Sequence, residues 1–255
     1  MLTSSSNALK IIQFPVKVLP PVPEFDNLDY EDDDRTARQQ TVYPVKEIEY
    51  IDRICEYLLY NNTDKNHPKY SNRRNCAAFS IGCHLSLRGG DLCKMKVRDF
   101  FDNNNEWALK KTFIEQKTGK SRTIYYNQKV IELVARWIES EHLQYDDYLF
   151  KSKRAWKDDN GEYHKYMNRH SFGVDLKNAG KAIGYPLPLG THSMRKTFCY
   201  HAYMNAEDKD KSQVLVVLQR LLNHTSPLIT MRYLGFEDSD VQDMFMGTDL
   251  CTCIY

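Results

Sequence analysis

The chain has almost no net charge: 35 Lys and Arg stand against 34 Asp and Glu, leaving +1. Averaged over the whole length, that balance argues against a polyanionic partner. Also missing is any apolar run near the roughly 18 residues that span a membrane. The opening MLTSSSNALKIIQF lacks the basic, apolar and small-residue order of a secretion signal, so a cytoplasmic chain with no membrane partner is expected. The seven cysteines (Cys55, Cys76, Cys83, Cys93, Cys199, Cys251, Cys253) form no even set, which speaks for reduced thiols rather than a disulfide framework. The one C-x-C, Cys251-Thr-Cys253, has no second pair, so even with His201 or His224 it is a weak zinc set. A Gly-rich phosphate loop, a Gly-x-Ser-x-Gly elbow and an internal repeat are all absent.

What is present is ordinary in bulk and uneven in distribution. The 255 residues are 42% hydrophobic and 27% charged, enough for one large domain or a medium one with an appendage. Residues 1–43 combine the Pro-rich KVLPPVPEF with the acidic DNLDYEDDD, and read as an extended or disordered arm. From Pro44 a helical period takes over. Ile48, Ile51, Cys55, Leu58 and Leu59 share a face near 45–60, and Cys76, Phe79, Cys83 and Leu87 another near 72–87, with Ser71 or Asn72 as the cap. Residues 107–114 and 121–126, β-branched and aromatic, flank Gln116-Lys-Thr-Gly-Lys120 and predict a hairpin. Val130, Val134, Trp137 and Ile138 predict a helix near 128–143, and the polar stretch 151–165 a surface loop. Further helices are predicted at 167–184, 192–205, 212–222, 226–234 and 238–247, the fourth opening on Ser226-Pro227. The fold class is mainly α with one small antiparallel sheet, an α+β domain over 44–236 followed by a segment 237–255.

Four segments put polar or cationic residues where packing does not ask for them. They are LSLRGGDL, with Arg88 before two glycines; the hairpin tip EQKTGKSRTIYY, with Lys117 and Lys120; THSMRKTF, with His192 and Arg195 three apart on one helix face; and LNHTSPLITMRYL, with His224 and Tyr233. Singly, each has a plain structural reading. His192 serves as a helix cap, Arg195 as a surface charge, Lys117 as a solubilising tip and Tyr233, one of 17 tyrosines, as core packing. Lys151-Ser-Lys-Arg154 reads as a solvated loop.

Taken together, in this order and spacing, the four segments resemble the tyrosine recombinase (phage integrase) family over Tyr43 to the C-terminus, its whole catalytic domain. The resemblance implies cleavage and rejoining of double-stranded DNA without metal, cofactor or ATP, in integration, excision or inversion. Arg88 and Arg195 would hold the non-bridging phosphate oxygens, and His224 would donate to the same phosphate. Tyr233 would be the nucleophile, leaving a 3′-phosphotyrosyl link, with His192 as general base. Lys117 would protonate the leaving 5′-oxygen, with Lys120 the alternative acid on the same hairpin. Asp91, three after Arg88, would buttress the site. The resemblance also implies a homotetramer on two duplexes, with accessory DNA-bending proteins as possible partners. The segment Glu237 to Gly247 would pack on a neighbouring protomer through Val241, Met244 and Phe245.

Two departures from the family pattern stand out. Asn223 stands where the family usually has Gly before the His, which is expected to alter the turn and not the chemistry. The first 43 residues are too Pro-rich and acidic to form the family's core-binding domain, so a trimmed fragment or a short natural form is expected, with low intrinsic DNA affinity. A DNA-binding regulator on the same fold and a topoisomerase-like relaxing enzyme are the competing readings.

Charge by segment revises the opening balance. Residues 1–40 hold four basic and seven acidic residues, and residues 234–255 hold five acidic and none basic. Residues 41–233 therefore carry 31 basic and 22 acidic residues, a net +9 that suits a phosphate backbone. The acidic ends are expected to screen that surface.

Overall fold

The computed structural model describes residues 42–115 and 119–236. Eight helices and two small antiparallel hairpins occur among them: α1 (Ile48–Tyr60), α2 (Tyr70–Leu85), α3 (Gly89–Cys93), β1 (Lys110–Ile114), β2 (Ser121–Tyr125), α4 (Gln128–Ser140), β3 (Lys151–Lys157), β4 (Tyr163–Tyr166), α5 (Arg169–Ala182), α6 (Thr191–Met204), α7 (Lys211–Leu222) and α8 (Pro227–Tyr233). The mainly helical α+β class holds, with two sheets in place of the one expected. No helix among the described residues is long and apolar enough to cross a membrane.

α2 is the central helix, touching α1, α4 and α6. It buries Ala78, Phe79, Ile81, Gly82 and Leu85. Gly82 permits the closest approach, since a Cβ there would lie 2.5 Å from Met194 Sδ of α6. The expected stripe on α4 is observed, with Val130, Val134 and Trp137 buried and Trp137 Nε1 donating to the Leu149 carbonyl at 2.7 Å. On α1 the buried stripe is Tyr50, Ile54 and Leu58, rotated from the expected face so that Ile48 is 63% exposed. The rotation follows from Tyr50, whose ring packs edge-on against Tyr185 at 4.9 Å and draws that side of the helix inward.

Two local expectations are corrected. The N-cap of α2 is Lys69, not Ser71 or Asn72, and its side chain makes no capping bond; Thr63 Oγ1 accepts from the Lys69 amide instead. Residues 151–165 form a hairpin rather than a loop, with Trp156 opposite His164 and Lys157 opposite Tyr163. Trp156, His164 and Tyr166 stack at centroid distances of 4.8–5.3 Å, and Asp158 closes the turn by accepting from the Asn160 and Glu162 amides. These strands lack an apolar face, so no period-two signal marked them.

The C-terminal half is held by its own apolar cluster. Cys199 of α6, Leu218 and Leu222 of α7, and Leu234 are buried together, with Phe198, Leu221, Met231, Tyr233 and Phe236 packed against them. In this cluster α8 packs on α7, and α7 in turn on α6. Ser226 caps α8 by accepting from the Ile229 amide, with Pro227 in the first turn as expected.

Candidate active site

Arg88 reaches the site through a strained turn. α2 ends at Leu85, and Ser86 adopts φ 52°, a left-handed conformation that costs a non-glycine residue roughly 1–2 kcal/mol. The chain then leads through Leu87 to Arg88, the N-cap of α3. The next residue is glycine for a steric reason: a Cβ on Gly89 would stand 2.6 Å from Thr191 Cβ. Because Thr191 opens α6, this contact joins the start of α3 to the start of α6, the helix that carries His192 and Arg195. Gly90 is not crowded in this way, with Arg169 Cδ at 3.9 Å.

The two arginines meet on a carboxylate. Glu115, next after β1 and 7% exposed, contacts Arg88 Nη1 through Oε2. Its Oε1 lies 3.1 Å from Arg122 Nη1 and 3.6 Å from Arg195 Nη1. Arg122 is fixed from behind, donating through Nη2 to the Ser86 carbonyl at 2.7 Å and to Ser86 Oγ at 3.2 Å. Those bonds offset the strain at Ser86. Burial and the neighbouring Arg195 lower the pKa of Arg122. Arg195, 3% exposed, donates weakly to the Leu221 carbonyl at 3.5 Å, while its Nη1 is buried with no hydrogen-bond partner. Sequence reasoning missed Glu115 and Arg122. The available signal was the period of β2, where Arg122 and Ile124 alternate inward with burial pattern exposed, buried, intermediate, buried, exposed.

His192 sits in the first turn of α6, exposed at the surface but with many atoms and four cationic side chains around it. Desolvation pushes it down to about 4, and Arg195, Arg169, Lys196 and Arg88 add repulsion against its charged form. The helix N-terminus opposes a cation in the same way. The imidazole is therefore neutral at neutral pH. The linkage sign follows. Between pH 6.5 and about 4, the unfolded His192 binds a proton that the folded one does not, so stability falls as pH drops through that window. His192→Asn should flatten this part of the dependence of Tm on pH, measured by melting both proteins across the window; parallel curves would contradict it.

Tyr233 ends α8, half-buried. Its ring stacks edge-on with His224 at 5.2 Å, and Lys196 Nζ lies 4.9 Å from the ring centroid. Burial raises the phenol pKa, while Arg195, Arg122 and Arg88 pull it down, which places the tyrosine in the field of the arginine cluster. His224 is held through Nδ1, 3.1 Å from Thr230 Oγ1. Lys196 was another residue not singled out from sequence.

Lys120 donates to Asn223 Oδ1 at 2.8 Å, tying the hairpin to the turn before His224. Asn223 occupies that turn at φ 61°, the left-handed C-cap for which asparagine is the common alternative to glycine. Asp91 lies in α3, one turn beyond Arg88. Lys117, the segment 237–247 and Cys251 and Cys253 lie outside the described residues. His201 Nε2 is 3.0 Å from the Val45 carbonyl. Among the described residues, Asp158, Glu162 and His164 bring ligand atoms within 4.8 Å of one another, on the β3–β4 hairpin, where Asp158 already bonds His164 at 2.9 Å.

Comparison with known proteins gives concordant matches. A model described as the phage integrase family matches residues 53–239. The probable integrase/recombinase YoeC of Bacillus subtilis is 31% identical over 197 residues, covering 77% of this chain and 91% of YoeC. The integrase of Escherichia phage P2 is 25% identical over 158 residues, 61% of this chain and 36% of the phage protein. Among solved structures, XerA recombinase superposes with TM-score 0.53 at 19% identity, covering 85% of this chain and 66% of XerA. XerH site-specific recombinase bound to difH substrate gives 0.54 at 17% identity, covering 81% of this chain and 53% of XerH. The likeness to the Xer structures is one of fold, and this chain spans about a third of the phage P2 integrase.

Proposed function

Because the chain belongs to the phage integrase family of site-specific tyrosine recombinases, we propose that it cleaves and rejoins double-stranded DNA through Tyr233, in integration, excision or inversion. One observation carries the reading: Arg88 and Arg195, distant in sequence, converge on one anion, the Glu115 carboxylate. A phosphodiester carries one negative charge and gathers a second as it becomes five-coordinate. Two planar guanidiniums, each able to bond two oxygens at once, are suited to that increase.

In the proposed reaction Tyr233 Oη attacks phosphorus, and its proton passes to neutral His192. The bond from phosphorus to the 5′-oxygen breaks, and that oxygen takes a proton from a hairpin lysine. The product is a 3′-phosphotyrosyl ester and a free 5′-hydroxyl, and the reverse steps rejoin a strand without ATP. His224, held by Thr230, donates to the phosphate, and Asp91 supports the start of α3. We assign residues 44–236 as the catalytic domain, acting in the cytoplasm as a tetramer on DNA, with residues 1–43 and 237–255 as flanking segments.

A nicked suicide duplex bearing a candidate site is the test. A covalent protein–DNA band is expected without Mg²⁺ or ATP, and no band with any such duplex would favour a DNA-binding regulator. The lysine assignment has its own readout. Lys117 is the proposed acid because Lys120 is bonded to Asn223. Replacing the leaving 5′-oxygen with sulfur should restore cleavage by Lys117→Ala, since a thiolate departs without a proton. Rescue of Lys120→Ala instead would reverse the assignment.

A further inference from the structure

We propose that Glu115 is a resident counter-ion that holds, in the DNA-free protein, the place of the phosphate between Arg88 and Arg195, and that Arg122 takes it over when phosphate enters. This inference rests on the reading of Arg88 and Arg195 as the phosphate clamp. The Nη1 atoms of Arg88 and Arg195 both point at the Glu115 carboxylate, so the space where two guanidiniums would share an anion is filled by the protein's own oxygens. The fit is incomplete. Arg122 is hydrogen-bonded to Glu115, whereas Arg88 Nη1, in contact with it, and Arg195 Nη1, 3.6 Å away, are both buried without a hydrogen-bond partner. One carboxylate cannot satisfy three guanidiniums, and a buried cationic donor left short is a costly state that another oxyanion relieves.

Arg122 gives the carboxylate somewhere to go. It is fixed by the Ser86 carbonyl and hydroxyl, so it does not follow the phosphate. It already bonds the same Oε1 that faces Arg195. A phosphate taking Arg88 and Arg195 leaves Glu115 paired with Arg122. The four side chains sum to +2. With Glu115 kept on Arg122, that charge exceeds a phosphodiester monoanion by one and equals the dianion of the five-coordinate state. Displacing Glu115 therefore subtracts from the energy with which any oxyanion binds between Arg88 and Arg195. Glu115 and Arg122 are positioning residues in this scheme, since neither touches the reacting atoms.

The competitor and a mere structural brace predict opposite signs. In titrations of the full chain with inorganic phosphate or orthovanadate, Glu115→Gln should bind about tenfold tighter than the native protein, because the rival anion is gone. Glu115→Asp keeps the charge but withdraws it from Arg88 and Arg195, and should also bind tighter; it serves if the Gln variant does not fold. Equal or weaker binding by the folded variants would overturn the proposal and leave Glu115 a brace. Adduct formation by Tyr233 on a suicide duplex is scored separately. An adduct with unchanged oxyanion affinity in Glu115→Gln removes this inference alone, whereas absence of adduct in the native protein removes the reading beneath it.

Discussion

Tyr233→Phe should abolish the covalent protein–DNA adduct while leaving the fold and DNA affinity close to native. The substitution removes one oxygen. The ring keeps its place in the cluster of Cys199, Leu218, Leu222 and Leu234, its edge-on contact with His224 and its approach to Lys196. Losing a half-buried hydroxyl should change stability by no more than about 1 kcal/mol. The chemical loss is total because no other atom of the side chain can form the ester. The readouts are a denaturing gel for the adduct, a mobility shift for affinity and a melting curve for the fold. A persisting band would move the nucleophile to another of the 17 tyrosines.

Arg195→Lys should lower cleavage by about 10²–10³-fold with DNA binding much less affected. Lysine retains the charge but not the planar fork. At a site 3% exposed, where the native guanidinium spans from the Leu221 carbonyl toward Glu115, an ammonium covers one of those directions. Glu115 still has Arg88 and Arg122, so the variant should fold. Single-turnover cleavage at saturating DNA separates the effect from binding. Activity within about tenfold of native would mean that charge alone suffices at this position, against the role assigned to the fork.

The sequence made the chemistry easier to read than the geometry. Arg88, His192, Arg195, His224 and Tyr233 stand out together in the sequence because their order and spacing resemble those of the phage integrase family, and the roles proposed for them rest on that resemblance. How the structure arranges them was not legible, since it depends on Gly89 lying under Thr191 and on α8 packing on α7, which packs on α6. The α4 stripe was readable from period alone. The α1 face differs because Tyr50 and Ile54, rather than Ile48 and Ile51, are the residues buried beside Leu58, with Tyr50 against Tyr185. The β3–β4 hairpin escaped notice because its strands are held by a stack of Trp156, His164 and Tyr166 rather than by a buried face. Glu115 and Arg122 escaped for a different reason. A charged residue on a hairpin reads as solvated until its strand register turns it inward.

The most direct test of the account is to identify the residue and the DNA end in the covalent adduct. After reaction with a nicked suicide duplex in the presence of EDTA, digestion and mass spectrometry should find a nucleotide 3′-phosphate esterified to the peptide containing Tyr233, with a free 5′-hydroxyl on the released strand. An adduct on any other residue, a 5′-phosphate linkage, or cleavage that appears only when Mg²⁺ is restored would contradict it.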